Sequence, residues 1–413
     1  MDQAVAAVDE RRQWDRLMAM ARIGAIAGDG VNRACLTELD RTARRLLIAW
    51  AGEIGAGVSI DAAANLWLRR EGTDPRAAPV VTGSHMDTQP NGGRFDGIYG
   101  VIAGLEALTA LHRSGTVLRR PVEVVAWTNE EGGRFAPGCM GSMSWSGFRQ
   151  IEEFADVVDP DGVRFADALA SHRAGETDLP DRPLGGRPHA YVEAHIEQGP
   201  RLEAEGLDIG IVTGIQGSRW FTVALTGETA HAGTTPLAMR RDAVQDMVRA
   251  IAALNTLMHD PQDVLRFTVG RIAVEPNTSN SVANRASFTI DFRHPDKDVL
   301  LARGDAIAGV VQAAVRGAGV TVQENFHALP VEFSPLVIDA VERAATQQRR
   351  GHMRLPSGAF HDAQFVVPVC PTGMIFVPCR KGISHNPAEY SEPSQLVAGT
   401  CVLTQTLTEL ASA

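Results

Sequence analysis

The chain has 413 residues, 44% of them hydrophobic and 21% charged, enough material for two or three domains with buried cores and too apolar for a disordered chain. Its 39 Lys plus Arg stand against 49 Asp plus Glu, a net charge of −10 that repels phosphate backbones and anionic membranes and argues against a nucleic-acid partner. The opening MDQAVAAVDERRQWDRL lacks the basic tip and apolar stretch of a secretory signal, and the most apolar run, Leu46 to Val58, contains Glu53 and several glycines, short of the roughly 20 residues that span a bilayer; a cytoplasmic protein with no membrane partner is expected.

Apolar residues recur at spacings of three and four from Trp14 to Ala21 and from Leu36 to Trp50, predicting two helices. Gly52, Gly55 and Gly57 end the second, and Val58–Ile60 and Asn65–Leu68 read as short strands. Pro79-Val80-Val81-Thr82-Gly83 is a buried strand leading into Ser84-His85, Gly97 to Leu111 a helix, and Val122 to Trp127 a further strand delivering Asn129-Glu130-Glu131-Gly132. This alternation predicts an α/β fold, a mixed, mostly parallel sheet flanked by helices. Near residue 216 the pattern changes. Strands at Phe221–Leu225, Phe267–Ala273, Ser287–Phe292 and Val320–Glu324 alternate with helices at Ala243–Leu257 and Val299–Val315. The order strand, helix, strand, strand, helix, strand is that of a ferredoxin-like α+β insertion. A helix (Val337–Ala345), a strand (Met374–Val377) and a final helix (Ser394–Leu410) then return to the first pattern. The expected organisation is therefore a catalytic domain over residues 1–215 and 332–413 with an inserted domain over 216–331. The five cysteines, Cys35, Cys139, Cys370, Cys379 and Cys401, have no CxxC spacing, which favours reduced thiols.

Chemistry concentrates at the strand ends. His85 follows one predicted strand, Glu131 another, His195 lies in YVEAHIE, His385 stands a few residues beyond MIFVP, and Asp96 occupies the glycine-rich GGRFDGIYG. Strand ends of open α/β sheets converge on one crevice, and this imidazole and carboxylate set suits a pair of zinc-like ions sharing one carboxylate. Taken singly, each is better read as a solvated loop histidine or a helix-capping acid; the five together at strand ends favour the metal reading. Glu130 and Glu131, adjacent in an extended segment, should point to opposite sides, leaving one carboxylate for metal and the other as general base toward a water whose pKa the metal lowers. Asp87, two residues from His85, is placed to accept that ring's other N–H, or is an ordinary loop acid.

The set GSHMDT, GGRFDGIYG, NEEGGRF, EAHIEQGP, AHAGTTP, DFRHPD, SGAFHDA and GISHNP resembles, in order and over residues 83–387, the di-metal amidohydrolases that include N-carbamoyl-L-amino acid hydrolases, allantoate amidohydrolases and β-ureidopropionases, in the wider clan of aminoacylases and zinc carboxypeptidases. The resemblance implies that His85 and His195 hold one ion, Glu131 and His385 the other, that Asp96 bridges them, and that Glu130 is the general base. It implies two divalent ions per subunit, zinc first with manganese, cobalt or nickel as alternatives. Gln198 would stand near the substrate amide and His231 would polarise the scissile carbonyl. Asn280 and Arg293 would clamp the substrate carboxylate, for which Arg has a suitable fork, and Gly358 and His361 of SGAFHDA would line the substrate site. The alternative for Arg293 is a surface ion pair, and for His231 a satisfied loop residue. Relatives dimerise through the insertion, so a homodimer is implied in which His231, Asn280 and Arg293 of one subunit serve the metal site of the other.

Two departures stand out. Relatives usually read NVIPG where this chain reads Asn280-Ser281-Val282-Ala283-Asn284, and the absent proline is expected to alter the loop's set. Phe360 replaces a common glycine in SGAFHDA; it either narrows the pocket or turns into the core. The expected activity is hydrolysis of an N-carbamoyl-L-amino acid or other ureido acid to the amino acid, carbon dioxide and ammonia, to which Gly214-Ile215-Gln216-Gly217 adds weak support. Allantoate or another amide or N-acyl amino acid is the competing small-molecule substrate. A catalytically silent ligand-binding relative would have lost a ligand or the base, and none is lost.

Overall fold

The computed structural model describes residues 3–413; Met1 and Asp2, within the first expected segment, lie outside them. Two compact units divide the chain, one running up to Gly214 and resuming at Glu332, the other Ile215–Val331.

The larger unit is built on a mixed sheet. The strands Val80–His85, Val122–Trp127, Ala190–Ile196 and Thr372–Val377 are parallel neighbours at its centre. Antiparallel pairings extend it on one side through Leu66–Arg70 and Gly57–Ile60, and on the other through Ile209–Ile215. The four central strands are buried along their whole length, as expected of parallel strands covered on both faces. The helix Ile98–Arg113 is apolar nearly all round and packs on these strands beside the terminal helix Pro393–Ser412. Glu38–Glu53 is capped by Thr37, whose hydroxyl accepts the Asp40 N–H. From that helix the buried Arg44 pairs with Asp40 at 3.1 Å and donates to the Ala64 carbonyl and the Thr128 hydroxyl, tying it to the loop that carries Glu130.

The smaller unit is a four-stranded antiparallel sheet in the spatial order Arg266–Glu275, Arg285–His294, Gly217–Thr226, Gly319–Ala328, the 2-3-1-4 order of the ferredoxin-like arrangement. Alternate residues of its central strands are buried against a core that includes Phe221, Val223, Phe288, Ile290, Leu254, Ile307 and Val311. Its two helices, Ala243–Leu257 and Lys297–Ala314, are N-capped by Asp242 and Asp296.

The expected elements are present, with strands longer than the apolar runs that marked them. Among the strands that carry no such mark are Ile209–Ile215, interrupted by Gly210 and Gly214, and the short, half-exposed His352–Ser357. Among the described residues no helix is long and apolar enough to cross a membrane, and the five cysteines are free thiols, four of them buried.

Candidate active site

Four strands of the central sheet and the loops after them bring the ligand candidates together. His85 is the last residue of its strand and His195 the penultimate one of the next. Asp96 precedes the helix Ile98–Arg113, and Glu131 and His385 stand in loops beyond their strands. Their donor atoms form two groups, each within 4.8 Å: His85, Asp96 and His195, and Asp96, Glu131 and His385. Asp96 belongs to both through different oxygens. Its Oδ1 lies 3.1 Å from His195 Nε2 and 3.8 Å from His85 Nε2, and its Oδ2 lies 3.3 Å from His385 Nε2. Glu131 Oε2 completes the second group 3.2 Å from His385 Nε2.

The imidazoles are set in the tautomer that coordination needs. His85 Nδ1 lies 2.9 Å from the Asp87 carbonyl and His195 Nδ1 2.9 Å from the Ile196 carbonyl. A carbonyl only accepts, so each Nδ1 carries a proton and each Nε2 faces the cluster, the nitrogen through which a metal would be held. An array of imidazoles and carboxylates, buried at His85, Asp96 and His195 and opening to solvent at His385, with one carboxylate shared, fits a pair of divalent cations. Gly97 has φ +65°, and a Cβ there would come within 2.3 Å of the His85 ring, so the glycine after Asp96 is required by both backbone and space.

Two sequence expectations change in detail. Glu130 and Glu131 do not lie in an extended segment: the strand ends at Trp127, Asn129 adopts φ +56°, and the chain bends. Both side chains consequently enter the same cluster, Glu130 Oε2 lying 3.3 Å from His85 Nε2. The Asp87 carboxylate is not the acceptor for His85, being 3.7 Å from Nδ1. It accepts instead the backbone N–H groups of Glu130 and Glu131, each at 3.2 Å, and fixes the bend.

The electrostatics separate the acids. Burial opposes ionisation of Asp96, yet the bonds from His195 and His385 hold its carboxyl well below the usual range. Those bonds in turn raise His385 to about 11, with Glu131 as the second contributor. Glu130 is pushed well above the usual glutamate range by burial first, and then by the charges of Asp362, Glu131, Asp87 and Asp96. A carboxyl so raised holds a proton readily, as a group that both takes and returns one must.

The smaller unit assembles its own candidates. Backbone bonds Val282 N–H to Ala230 O (2.8 Å) and Ala232 N–H to Asn280 O (3.1 Å) pair two loop segments and set His231 opposite Ser281, the residue after Asn280. These bonds, with Asn284 N–H to Glu275 O at 3.0 Å, set the loop without the proline of relatives. The exposed His231 accepts the Gly233 and Thr234 N–H groups at Nδ1, at 3.0 and 3.1 Å, so the neutral ring carries its proton on Nε2. Arg293, half-buried near the end of its strand, donates to Asp291 from Nε (3.0 Å) and Nη2 (2.7 Å).

Gln198, at φ +54°, donates from Nε2 to Asp96 Oδ2 at 2.9 Å and to Ser384 Oγ at 3.1 Å; it contacts the shared carboxylate itself. Gly358 is exposed in the bend after His352–Ser357. His361 is 1% exposed, bonded to Ser357 Oγ at 2.9 Å and set edge-on to His195 with ring centroids 4.6 Å apart, so it backs the His195 ring and does not face open solvent. Phe360 packs on the cluster containing Phe135, Phe154 and Phe165 and meets Phe365 at 6.3 Å, the core-facing alternative.

Sequence reasoning missed Glu193, Asp362, Ser384 and Glu389. Glu193 is two residues before His195 and so shares its side of the strand, a signal present in YVEAHIE; its donor atom groups with those of His195 and His361. Asp362 bonds Ser142 Oγ at 2.5 Å beneath Glu130.

Residues 81–409 match peptidase family M20/M25/M40. The N-carbamoyl-L-amino-acid amidohydrolase of Rhizobium meliloti is 41% identical over 408 residues, 98% of this chain and 97% of the relative. The allantoate amidohydrolase of Bacillus subtilis is 33% identical over 407 residues, 96% and 97% of the two chains. Among solved structures, an amidase of the hydantoinase/carbamoylase family from Burkholderia vietnamiensis superimposes with a TM-score of 0.90 at 43% identity over 100% of both chains. With the family model matched over residues 81–409, the chain belongs to peptidase family M20/M25/M40.

Proposed function

We propose that this protein is a metal-dependent amidohydrolase that opens the C–N bond of N-carbamoyl-L-amino acids. The observation that carries the reading is the cluster joined through Asp96 with the buried Glu130 beside it; similarity to the Rhizobium meliloti enzyme supports the substrate class. His85 and His195 would hold one divalent ion, Glu131 and His385 a second, with Asp96 between them. Bound there, such ions supply the Lewis acidity that activates water and polarises a carbonyl.

The chain's own groups do the rest. Glu130 takes a proton from water as the oxygen adds to the ureido carbonyl carbon, and returns it to the amino acid nitrogen as that C–N bond breaks. The Nε2–H of His231 donates to the carbonyl oxygen as negative charge develops. Arg293, oriented by Asp291, and Asn280 receive the substrate carboxylate. The products are the amino acid and carbamate, which decays to carbon dioxide and ammonia.

The test is ammonia release from N-carbamoyl-L-amino acids, 3-ureidopropionate, allantoate and N-acyl amino acids, with zinc, manganese, cobalt or nickel restored in turn. Carbamoyl substrates should lead; preference for allantoate would move the chain to the branch of its Bacillus subtilis relative, and no turnover of any would refute the reading. We propose further that the enzyme is a homodimer in which His231, Asn280 and Arg293 act in trans. Co-expressing Glu130→Gln with His231→Ala should then restore activity at about a quarter of all sites, because random pairing makes about half the dimers mixed and one site in each is intact. Mixed dimers without activity would assign both residues to one chain.

A further inference from the structure

The ligand cluster depends on a residue outside it. Glu389 lies in the loop between the strand Thr372–Val377 and the helix Pro393–Ser412, and is 1% exposed. Its Oε1 accepts the backbone N–H groups of Phe95 (2.9 Å) and Asp96 (3.0 Å). Its Oε2 lies 3.0 Å from Ser384 Oγ, and the single proton of that hydroxyl is shared between it and Asp96 Oδ2 at 2.9 Å. One carboxylate therefore grips the main chain of Asp96 and, through Ser384, its side chain. Ser384 is also the residue before His385, so the same network fixes the loop that presents the histidine.

The chain makes room for this carboxylate. A Cβ on Gly93 would stand 2.1 Å from both Cδ and Oε1 of Glu389, far inside contact distance, so the second glycine of the GGRFDG motif is a requirement of Glu389. A buried carboxylate is costly unless its oxygens are bonded, and the donors used here are ones that the Asp96 loop would otherwise leave unpaired.

We propose that Glu389 is a positioning residue: it sets the orientation of Asp96 and the approach of the His385 loop, and thereby the affinity of the shared-carboxylate site for divalent cations. This rests on the reading of Asp96 as a metal ligand. Groups that orient a ligand in this way are worth about 10–100-fold in metal affinity when removed.

The test is zinc affinity of the full chain by competition with a chromophoric chelator, with circular dichroism of the metal-free form alongside. Glu389→Ala should bind zinc about 10–100-fold more weakly with its far-ultraviolet spectrum unchanged. Glu389→Gln, whose Oε1 still accepts both N–H groups and whose amide meets Ser384 Oγ, should recover most of that affinity. Gly93→Ala, which displaces the same carboxylate, should weaken zinc binding like Glu389→Ala, and the double variant should be little worse than either. If Glu389→Ala does not fold, Gly93→Ala and Glu389→Gln carry the comparison. Unchanged affinity in Glu389→Ala or Gly93→Ala, or a Gln variant no better than Ala, would overturn the inference. An unmutated chain that binds no zinc would overturn the metal reading instead.

Discussion

The two units prepare their candidate residues in opposite ways. In the larger one, His85, Asp96 and His195 are at most 4% exposed, and they are tied by carbonyls, by Gln198 and by Ser384. In the smaller one, His231 and Asn280 are exposed, set by backbone bonds between their loops and, at His231, by the Gly233 and Thr234 N–H groups on Nδ1. The difference follows the chemistry. Opposed lone pairs and carboxylates keep their geometry only when a scaffold locks them, whereas a residue that meets an incoming molecule must keep its donor open.

The largest effect that could break this division is expected at Glu130. Glu130→Gln keeps the shape but takes no proton, so kcat should fall about 10²–10⁴-fold with metal content unchanged, measured by single-turnover assays beside metal analysis; full activity, or metal lost together with activity, would remove Glu130 from its role. Next is His231→Ala, where loss of one donor to the developing oxyanion should lower kcat about 10²–10³-fold, again without loss of metal. A drop in metal content would place His231 among the scaffold residues and erase the contrast.

Smaller effects sharpen it. Arg293→Lys replaces a fork with a point charge and should raise KM roughly tenfold for carboxylate substrates while leaving the corresponding amides little changed; an equal effect on both would make the pair with Asp291 purely structural. Phe360→Ala removes a half-buried ring from the cluster around Phe365, and should cost about 1–3 kcal/mol of stability in urea unfolding without reordering the substrate panel. A reordered panel at unchanged stability would return Phe360 to the pocket.

How much of this the sequence carries varies by residue. His85 and His195 are legible because each ends a strongly apolar strand, and the αβ alternation states on which side of the sheet they emerge. The bend at Asn129 is not legible, since left-handed backbone leaves no apolar period, and the two glutamates therefore converge where alternation would separate them. Asp87 is legible as a residue but not in its function, because its backbone and side chain exchange the duties that spacing assigns. Gln198 stands where the motif predicts, and only its φ of +54° turns it onto Asp96. Glu389 escapes altogether: its partner Phe95 is 294 positions away, and no local pattern encodes a bond of that span. The smaller unit is legible as a fold through its period-two strands, while the loops of His231 and Asn280 are joined by backbone pairing that no period marks.

Metal stoichiometry tests the central claim, a locked cluster sharing Asp96, most directly. Counted by elemental analysis after dialysis against limiting chelator, the unmutated chain should hold two divalent ions, His385→Ala one, and Asp96→Ala fewer than His385→Ala, with turnover requiring both ions. One ion in the unmutated chain, or full turnover after complete metal removal, would contradict it.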